Sequence, residues 1–145
     1  MAYWDTSAIV KLYVAEDDSL DFLRLVVDMD EPILSSAITT TEVLCTLYRK
    51  EYSGAMKRGG ARAIFRRFIA DIDAGRILTI PYGPDIEAEA EKLVRLAFAQ
   101  PRPVMVRSLD VIHVSTALSS KAKLVIATDV RVREAAALVH LRVLP

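Results

Sequence analysis

Short apolar runs along the chain alternate with longer stretches whose apolar residues recur at helical spacing. Ala2–Trp4 is a brief strand candidate, and Ala8–Val14 carries Ile9, Val10, Leu12 and Tyr13 for burial, with Thr6 or Ser7 as its cap. Glu16-Asp17-Asp18-Ser19 puts acid and a capping hydroxyl ahead of a helix over Leu20–Met29, which Pro32 stops. Ile33–Ser35 reads as a second strand. The hydroxyl-rich Ser36–Thr41 leads into a helix Glu42–Tyr52 with Val43, Leu44 and Leu47 inward, so Glu42 falls in its first turn. A helix from about Lys57 to Ala74 ends at Gly75, Ile77–Ile80 is a third strand, and Asp85–Gln100 is a helix with Pro84 near its first position. Ser108 caps a helix Leu109–Ser119; Leu124–Ala127 is a strand, Arg131–Val139 a helix and Leu141–Leu144 a fifth strand.

Strands alternating with helices predict an α/β fold: one domain over residues 1–145, with a central parallel sheet of about five short strands and helices on both faces. Right-handed crossovers place every strand C-terminus on one edge. Where strand order reverses beside the first strand, a ligand-binding crevice opens. No repeat, low-complexity segment or linker interrupts the pattern.

An apolar content of 52% is ample for one core, and 19 basic residues balance 19 acidic ones. The molecule as a whole therefore neither recruits nor repels nucleic acid, and any basic footprint must be local. Neutrality also favours self-association. The one basic cluster, Lys57-Arg58, Arg62, Arg66 and Arg67, sets Arg62 and Arg66 on one helix face, where RNA backbone contact competes with an ordinary solvated face. Cys45, alone in an apolar helical context, reads as core; it excludes an internal disulfide or cysteine metal cage and fits a reduced cytoplasm. Asp5 and Lys11 interrupt the first apolar run, so neither a signal peptide nor a membrane span is expected. Apolar residues of Leu20–Met29 and Lys57–Ala74 exceed core needs and predict a groove for a partner helix.

The candidate chemistry is carboxylate. Asp5, Glu42, Asp110 and Asp129 each stand at a strand-to-helix or loop-to-helix junction. Brought together, four carboxylates cannot all stay ionised without a counter-charge, and hard oxygen ligands select Mg²⁺ or Mn²⁺. Such an ion activates water and stabilises charge on a phosphoryl group, so phosphodiester hydrolysis is the reaction that suits the set. Helix N-termini at Glu42 and Asp110 would favour ionised acids and phosphate. Taken singly, each acid also reads as a cap or turn residue. Thr6 and Ser7 are caps first, with contact to a metal-bound water or phosphate as the alternative. Arg107 is a charge partner for the acids or a phosphate contact. His113, three residues after Asp110, reads as packing beneath the site, because Mg²⁺ prefers oxygen.

Asp5-Thr6-Ser7-Ala8-Ile9-Val10-Lys11-Leu12-Tyr13 resembles the opening of the PIN-domain ribonucleases, specifically VapC-type toxins of toxin–antitoxin pairs. Ser35 through Thr41-Glu42-Val43-Leu44, Arg107-Ser108-Leu109-Asp110 through Ala117, and Ala127-Thr128-Asp129-Val130-Arg131 agree and follow in family order. The resemblance implies a Mg²⁺- or Mn²⁺-dependent endoribonuclease with Asp5, Glu42, Asp110 and Asp129 around the metal. A metal-activated water would leave a 5′-phosphate and a 3′-hydroxyl. It further implies a cognate VapB-type antitoxin across the cleft and a homodimer. Thr128 is a supporting candidate, although Ala127 holds the place where the family often has threonine. Two other readings stand beside it. One is a non-catalytic binding module that has kept the fold. The other is an aspartate-based phosphatase, whose usual Asp-x-Asp pattern here has Ser7 in place of the second acid.

Overall fold

The computed structural model describes residues 1–145. In chain order the elements are β1 (Tyr3–Trp4), α1 (Thr6–Val10), α2 (Ser19–Met29), β2 (Ile33–Ser36), α3 (Ile38–Tyr52), α4 (Gly60–Asp73), β3 (Ile77–Ile80), α5 (Pro84–Phe98), α6 (Ser108–Ser119), β4 (Leu124–Ile126), α7 (Val130–Leu138) and β5 (Arg142–Leu144). The strands form one sheet in the order β3-β2-β1-β4-β5, and every pairing is parallel. β1 is the central strand: Tyr3 pairs with Leu34 on one side and Val125 on the other. Strand order reverses there, so the crevice expected of a doubly wound sheet lies at its C-terminal end.

Period-two alternation along these short strands explains the layering. Trp4, Ile33, Ile77 and Ile126 face one way and pack with Ile9, Phe22, Val43, Leu47 and Phe68 of the first four helices. Their chain neighbours Tyr3, Leu34 and Val125 face the other way, onto Leu93, Val111, Val114, Val132 and Ala135 of the last three. Each strand is thus apolar on both faces, as a parallel sheet between two helical layers requires.

Several boundaries differ from the sequence expectation, each for a local reason. Asp5, not Thr6 or Ser7, is the N-cap of α1, and its carboxylate accepts the Ser7 backbone N–H. Regular helix then ends at Val10, while 3₁₀-like turns carry the chain to Val14. α3 begins at Ile38, so Glu42 lies in the second turn rather than the first, beyond the strongest pull of that helix N-terminus. The β-branched run Thr39–Thr41 is helical because Thr39 turns its hydroxyl to Ser35 and Thr6 instead of terminating the turn. Arg107 occupies the N-cap of α6 and Ser108 the first helical position. The expected Pro84 start and Gly75 stop both hold, Gly75 taking the left-handed φ of +71° just past α4.

Candidate active site

All four acids reach one cleft of about 780 Å³ at the C-terminal edge of β1 and β4. Each is placed by its local structure. Asp5 follows β1 directly, with its backbone N–H on the Ile126 carbonyl at 2.9 Å, and is 3% exposed. Asp129 follows β4 and caps α7 through the Arg131 N–H at 2.8 Å. Asp110 sits at the third position of α6 and accepts the Arg107 N–H at 2.9 Å. Glu42 comes across from α3.

Hydroxyls tie these pieces together. Ser7 Oγ donates to Asp5 Oδ2 at 2.5 Å and accepts the backbone N–H groups of Thr128 at 3.0 Å and Asp129 at 3.3 Å. One side chain thereby fixes the end of β1 against the end of β4. Thr6 Oγ1 donates to Glu42 Oε2 at 2.5 Å. Both residues act through the acids rather than as caps of α1. Thr128 lines the cleft and joins the network through its backbone N–H.

His113 is more than packing beneath the site. One turn after Asp110 on α6 and 2% exposed, it sets Nε2 at 2.7 Å from Glu42 Oε2 and 3.3 Å from Asp5 Oδ1, while Nδ1 lies 2.7 Å from the Tyr3 hydroxyl. Sequence reasoning missed this because the partners lie on α3 and β1; the signal was a polar residue on the buried face of an apolar helix. Cys45 also departs from expectation: it is exposed and forms part of the cleft wall rather than the core.

The electrostatics follow from these contacts. Burial alone would raise Glu42, but its hydrogen bond and charge pairing with His113, with the Thr6 bond, hold the carboxyl below its usual range. Burial alone would lower His113, yet the Glu42 bond and the charges of Asp5, Glu42 and Asp110 push it up. Asp110 is pushed up by burial and by the charge of Asp129, against the opposing Arg107 N–H bond. Burial, reinforced by the charge of Asp5, pushes the Tyr3 phenol far up, so the hydroxyl keeps its proton.

The donor set fits a hard divalent cation. Asp5 Oδ2, Glu42 Oε2, Asp110 Oδ2 and Asp129 Oδ1 are each anchored by N–H or O–H groups. The second oxygen of Glu42, Asp110 and Asp129 has no protein hydrogen bond, and that of Asp5 meets only His113. No three His, Cys, Asp or Glu side chains already converge on one point. The set supplies ligand oxygens without a preformed cage.

Cations border the same cleft: Lys11, Arg49, Lys50 and Arg107. Lys11 is held at 2.7 Å by Glu16 and by Asp18, and Lys50 at 2.7 Å by Glu16. Arg49 and Arg107 make no ion pair, although the charge of Arg107 acts on Asp110, as one of its two sequence readings expects. Arg62 and Arg66 are exposed on α4 and are not part of the cleft wall. A separate groove of about 500 Å³ runs where Leu23 and Val26 of α2 face Arg67 and Asp71 of α4, at the place the apolar excess predicted. A third, apolar cleft of about 400 Å³, lined by Tyr82, Val94, Phe98 and Val106, shares Arg107 and Ser108 with the acid cleft. No helix is long and apolar enough to cross a membrane.

The fold is shared with solved structures of low sequence identity. FitAcB from Neisseria gonorrhoeae has a TM-score of 0.70 at 19% identity, covering 100% of this chain and 97% of that one. VapBC2 from Rickettsia felis, bound to a DNA fragment from their promoter, has 0.67 at 16%, covering 99% and 97%. VapBC-1 from nontypeable Haemophilus influenzae has 0.64 at 16%, also covering 99% and 97%. No curated protein is matched by sequence. The sequence does match the PIN domain over residues 2–138, a span that contains all four acids, His113 and every element that positions them. The chain belongs to the PIN domain family.

Proposed function

We propose that this protein is a Mg²⁺- or Mn²⁺-dependent endoribonuclease and the toxin of a toxin–antitoxin pair. The observation that carries the reading is the set of Asp5, Glu42, Asp110 and Asp129 in one cleft at the strand-order reversal, each with one oxygen anchored. These four would hold the cation. When bound it supplies Lewis acidity toward a phosphate oxygen and lowers the pKa of a water. The protein's own groups do the rest. Thr6 and Ser7 hold Glu42, Asp5 and the Thr128–Asp129 turn in register; Arg49 and Arg107, on the cleft wall and in no ion pair, receive flanking phosphates. RNA that continues over α4 would also meet Arg62 and Arg66.

The partners follow the surface. The groove between α2 and α4, lined by Leu12, Tyr13, the exposed Leu23 and Val26, has the apolar character that an amphipathic antitoxin helix needs. The apolar cleft between α5 and α6, with Tyr82 and Phe98 each 50% exposed, suits a second copy of this neutral chain. An intact acid set weighs against a binding-only module, and Ser7 in place of a second acid weighs against a phosphatase.

Purified protein should cut single-stranded RNA with Mg²⁺ or Mn²⁺, leave 5′-phosphate ends and stop on chelation. Asp110→Asn protein purified in parallel controls for contaminating ribonuclease. Cleavage that persists in excess EDTA, or equally in the variant, overturns the reading.

A further inference from the structure

Tyr3, His113 and Glu42 form a row of hydrogen bonds that starts inside the core and ends in the acid cleft. Tyr3 is 0% and His113 2% exposed, and both belong to the layer of α5–α7, whereas Glu42 belongs to α3 on the other side of the sheet. The row crosses from one helical layer to the other at the C-terminal end of β1. Burying a phenol and an imidazole is unfavourable unless their polar atoms are satisfied, and here they satisfy each other: Tyr3 Oη to Nδ1 at 2.7 Å, Nε2 to Glu42 Oε2 at 2.7 Å.

The direction of the row follows from the chemistry of its ends. In the neutral ring Nδ1 accepts the Tyr3 proton, so the ring's own proton is on Nε2; in the charged ring Nε2 carries one as well. Nε2–H therefore donates to Glu42 in either state. An unrestrained glutamate samples several rotamers, and ordering it costs side-chain entropy. Here Nε2–H and the Thr6 hydroxyl both end on Oε2, which fixes the carboxylate and leaves Oε1 without a protein partner.

Resting on the reading of this cleft as a divalent-cation nuclease site, we infer that His113 is a positioning residue, oriented by Tyr3, that presents Glu42 Oε1 to the cation. Groups that orient a metal-binding carboxylate from behind typically change metal affinity 10–100-fold when removed.

The test is Mn²⁺ binding by calorimetry on the metal-free chain, with parent, His113→Leu, His113→Gln, Tyr3→Phe and Glu42→Gln, each first shown folded by its thermal melt. His113→Leu should weaken Mn²⁺ binding by roughly 10–100-fold and lower kcat while leaving KM for RNA in place. His113→Gln, whose amide puts an N–H near the position of Nε2, should recover most of that loss. Tyr3→Phe, which removes one oxygen and leaves the aromatic core in place, should fall between. Folded His113→Leu with parental Mn²⁺ affinity overturns the inference, as does a Gln variant no better than Leu. Should His113→Leu not fold, parental affinity in Tyr3→Phe and His113→Gln affinity no closer to the parent than that of Glu42→Gln each overturn it. Glu42→Gln separates the two levels. If it loses Mn²⁺ while the His113 and Tyr3 variants do not, only the positioning role fails; if neither it nor the parent distinguishes Mn²⁺ from buffer, the nuclease reading itself fails.

Discussion

Replacing Ser7 with alanine removes a single hydroxyl and should both destabilise the protein and disable the site. The hydroxyl makes one short bond to an anionic acceptor, Asp5 Oδ2 at 2.5 Å, and accepts the Thr128 N–H at 3.0 Å, with the Asp129 N–H sharing it at 3.3 Å. A hydrogen bond to a charged group contributes about 1.5–3 kcal/mol and a neutral one about 0.5–1.5 kcal/mol. Asp5 keeps its Ser7 backbone N–H, so part of the first contribution survives the change. The Thr128 N–H loses the acceptor it has here, while partial exposure of that turn lets water replace some of the bond. A net loss of about 2–3 kcal/mol follows, and for a chain of this size that is a drop in Tm of roughly 6–12 °C. Activity should fall further than unfolding accounts for, because the same oxygen sets the spacing between the Asp5 and Asp129 carboxylates. The assay is a pair of measurements on Ser7→Ala and Ser7→Thr: thermal melts, and single-turnover RNA cleavage at a temperature where both variants are folded. A Ser7→Ala protein that melts with the parent would refute the bond accounting. One that melts low yet cleaves at the parental rate would show that the hydroxyl serves folding alone.

Four further outcomes are expected. Asp110→Asn keeps a side-chain oxygen for the Arg107 N–H and removes a buried charge that Asp129 opposes; in EDTA it should melt no lower than the parent, and higher by about 0.5–2 kcal/mol, while RNA cleavage is lost. Arg49→Ala and Arg107→Ala should each flatten the log–log salt dependence of RNA binding by about one unit, and a slope changed instead by the Arg62→Ala, Arg66→Ala pair would move the RNA path onto α4. Hydrogen bonds and charge from Lys11 and Lys50 hold Glu16 below the usual carboxylate range, so its contribution is present above the unfolded pKa and lost as pH falls through the folded one; Glu16→Gln should lower Tm at neutral pH, with the difference closing below about pH 4. Phe98→Glu should yield monomer by sedimentation if a second copy covers the cleft between α5 and α6, and an unchanged sedimentation coefficient would place the contact elsewhere.

The sheet, and the edge on which Asp5 and Asp129 stand, are legible because each leaves a one-dimensional trace. Short apolar runs between helical periods fix strand number, and a carboxylate placed just past such a run lies on the C-terminal edge in any parallel sheet. The contacts between elements leave no such trace. The first-turn reading of Glu42 lets its helix N-terminus favour an ionised acid, but the helix begins four residues earlier, and the carboxylate is held by Thr6 and His113 instead. His113 resembled a core residue because its neighbours Val111, Val114 and Ala117 are core, and helical spacing does not say that Tyr3 and Glu42 flank it. Apolar context points Cys45 inward, yet α3 turns that position toward the cleft. Arg62 and Arg66 share a face, as their spacing required; that this face does not form the acid cleft depends on how α4 packs.

The choice between helix cap and metal ligand for Asp5 and Asp129 dissolves in the geometry. Each uses one carboxylate oxygen as an N-cap and keeps the other out of its own helix, so capping sets the direction of the second oxygen, which has no protein partner at Asp129 and faces His113 Nε2 at 3.3 Å at Asp5. A strand-order reversal brings helix N-termini to the same edge as strand ends, and every such helix needs an acceptor for its first N–H groups. Aspartate meets that need at Asp5 and Asp129, and Asp110 does so from the third helical position by bonding back to Arg107. Glu42 is the one acid with no backbone anchor: both bonds to its Oε2 come from side chains on other elements. It is therefore the member of the set whose placement depends on tertiary packing, and perturbations remote from the cleft should reach the site through it first.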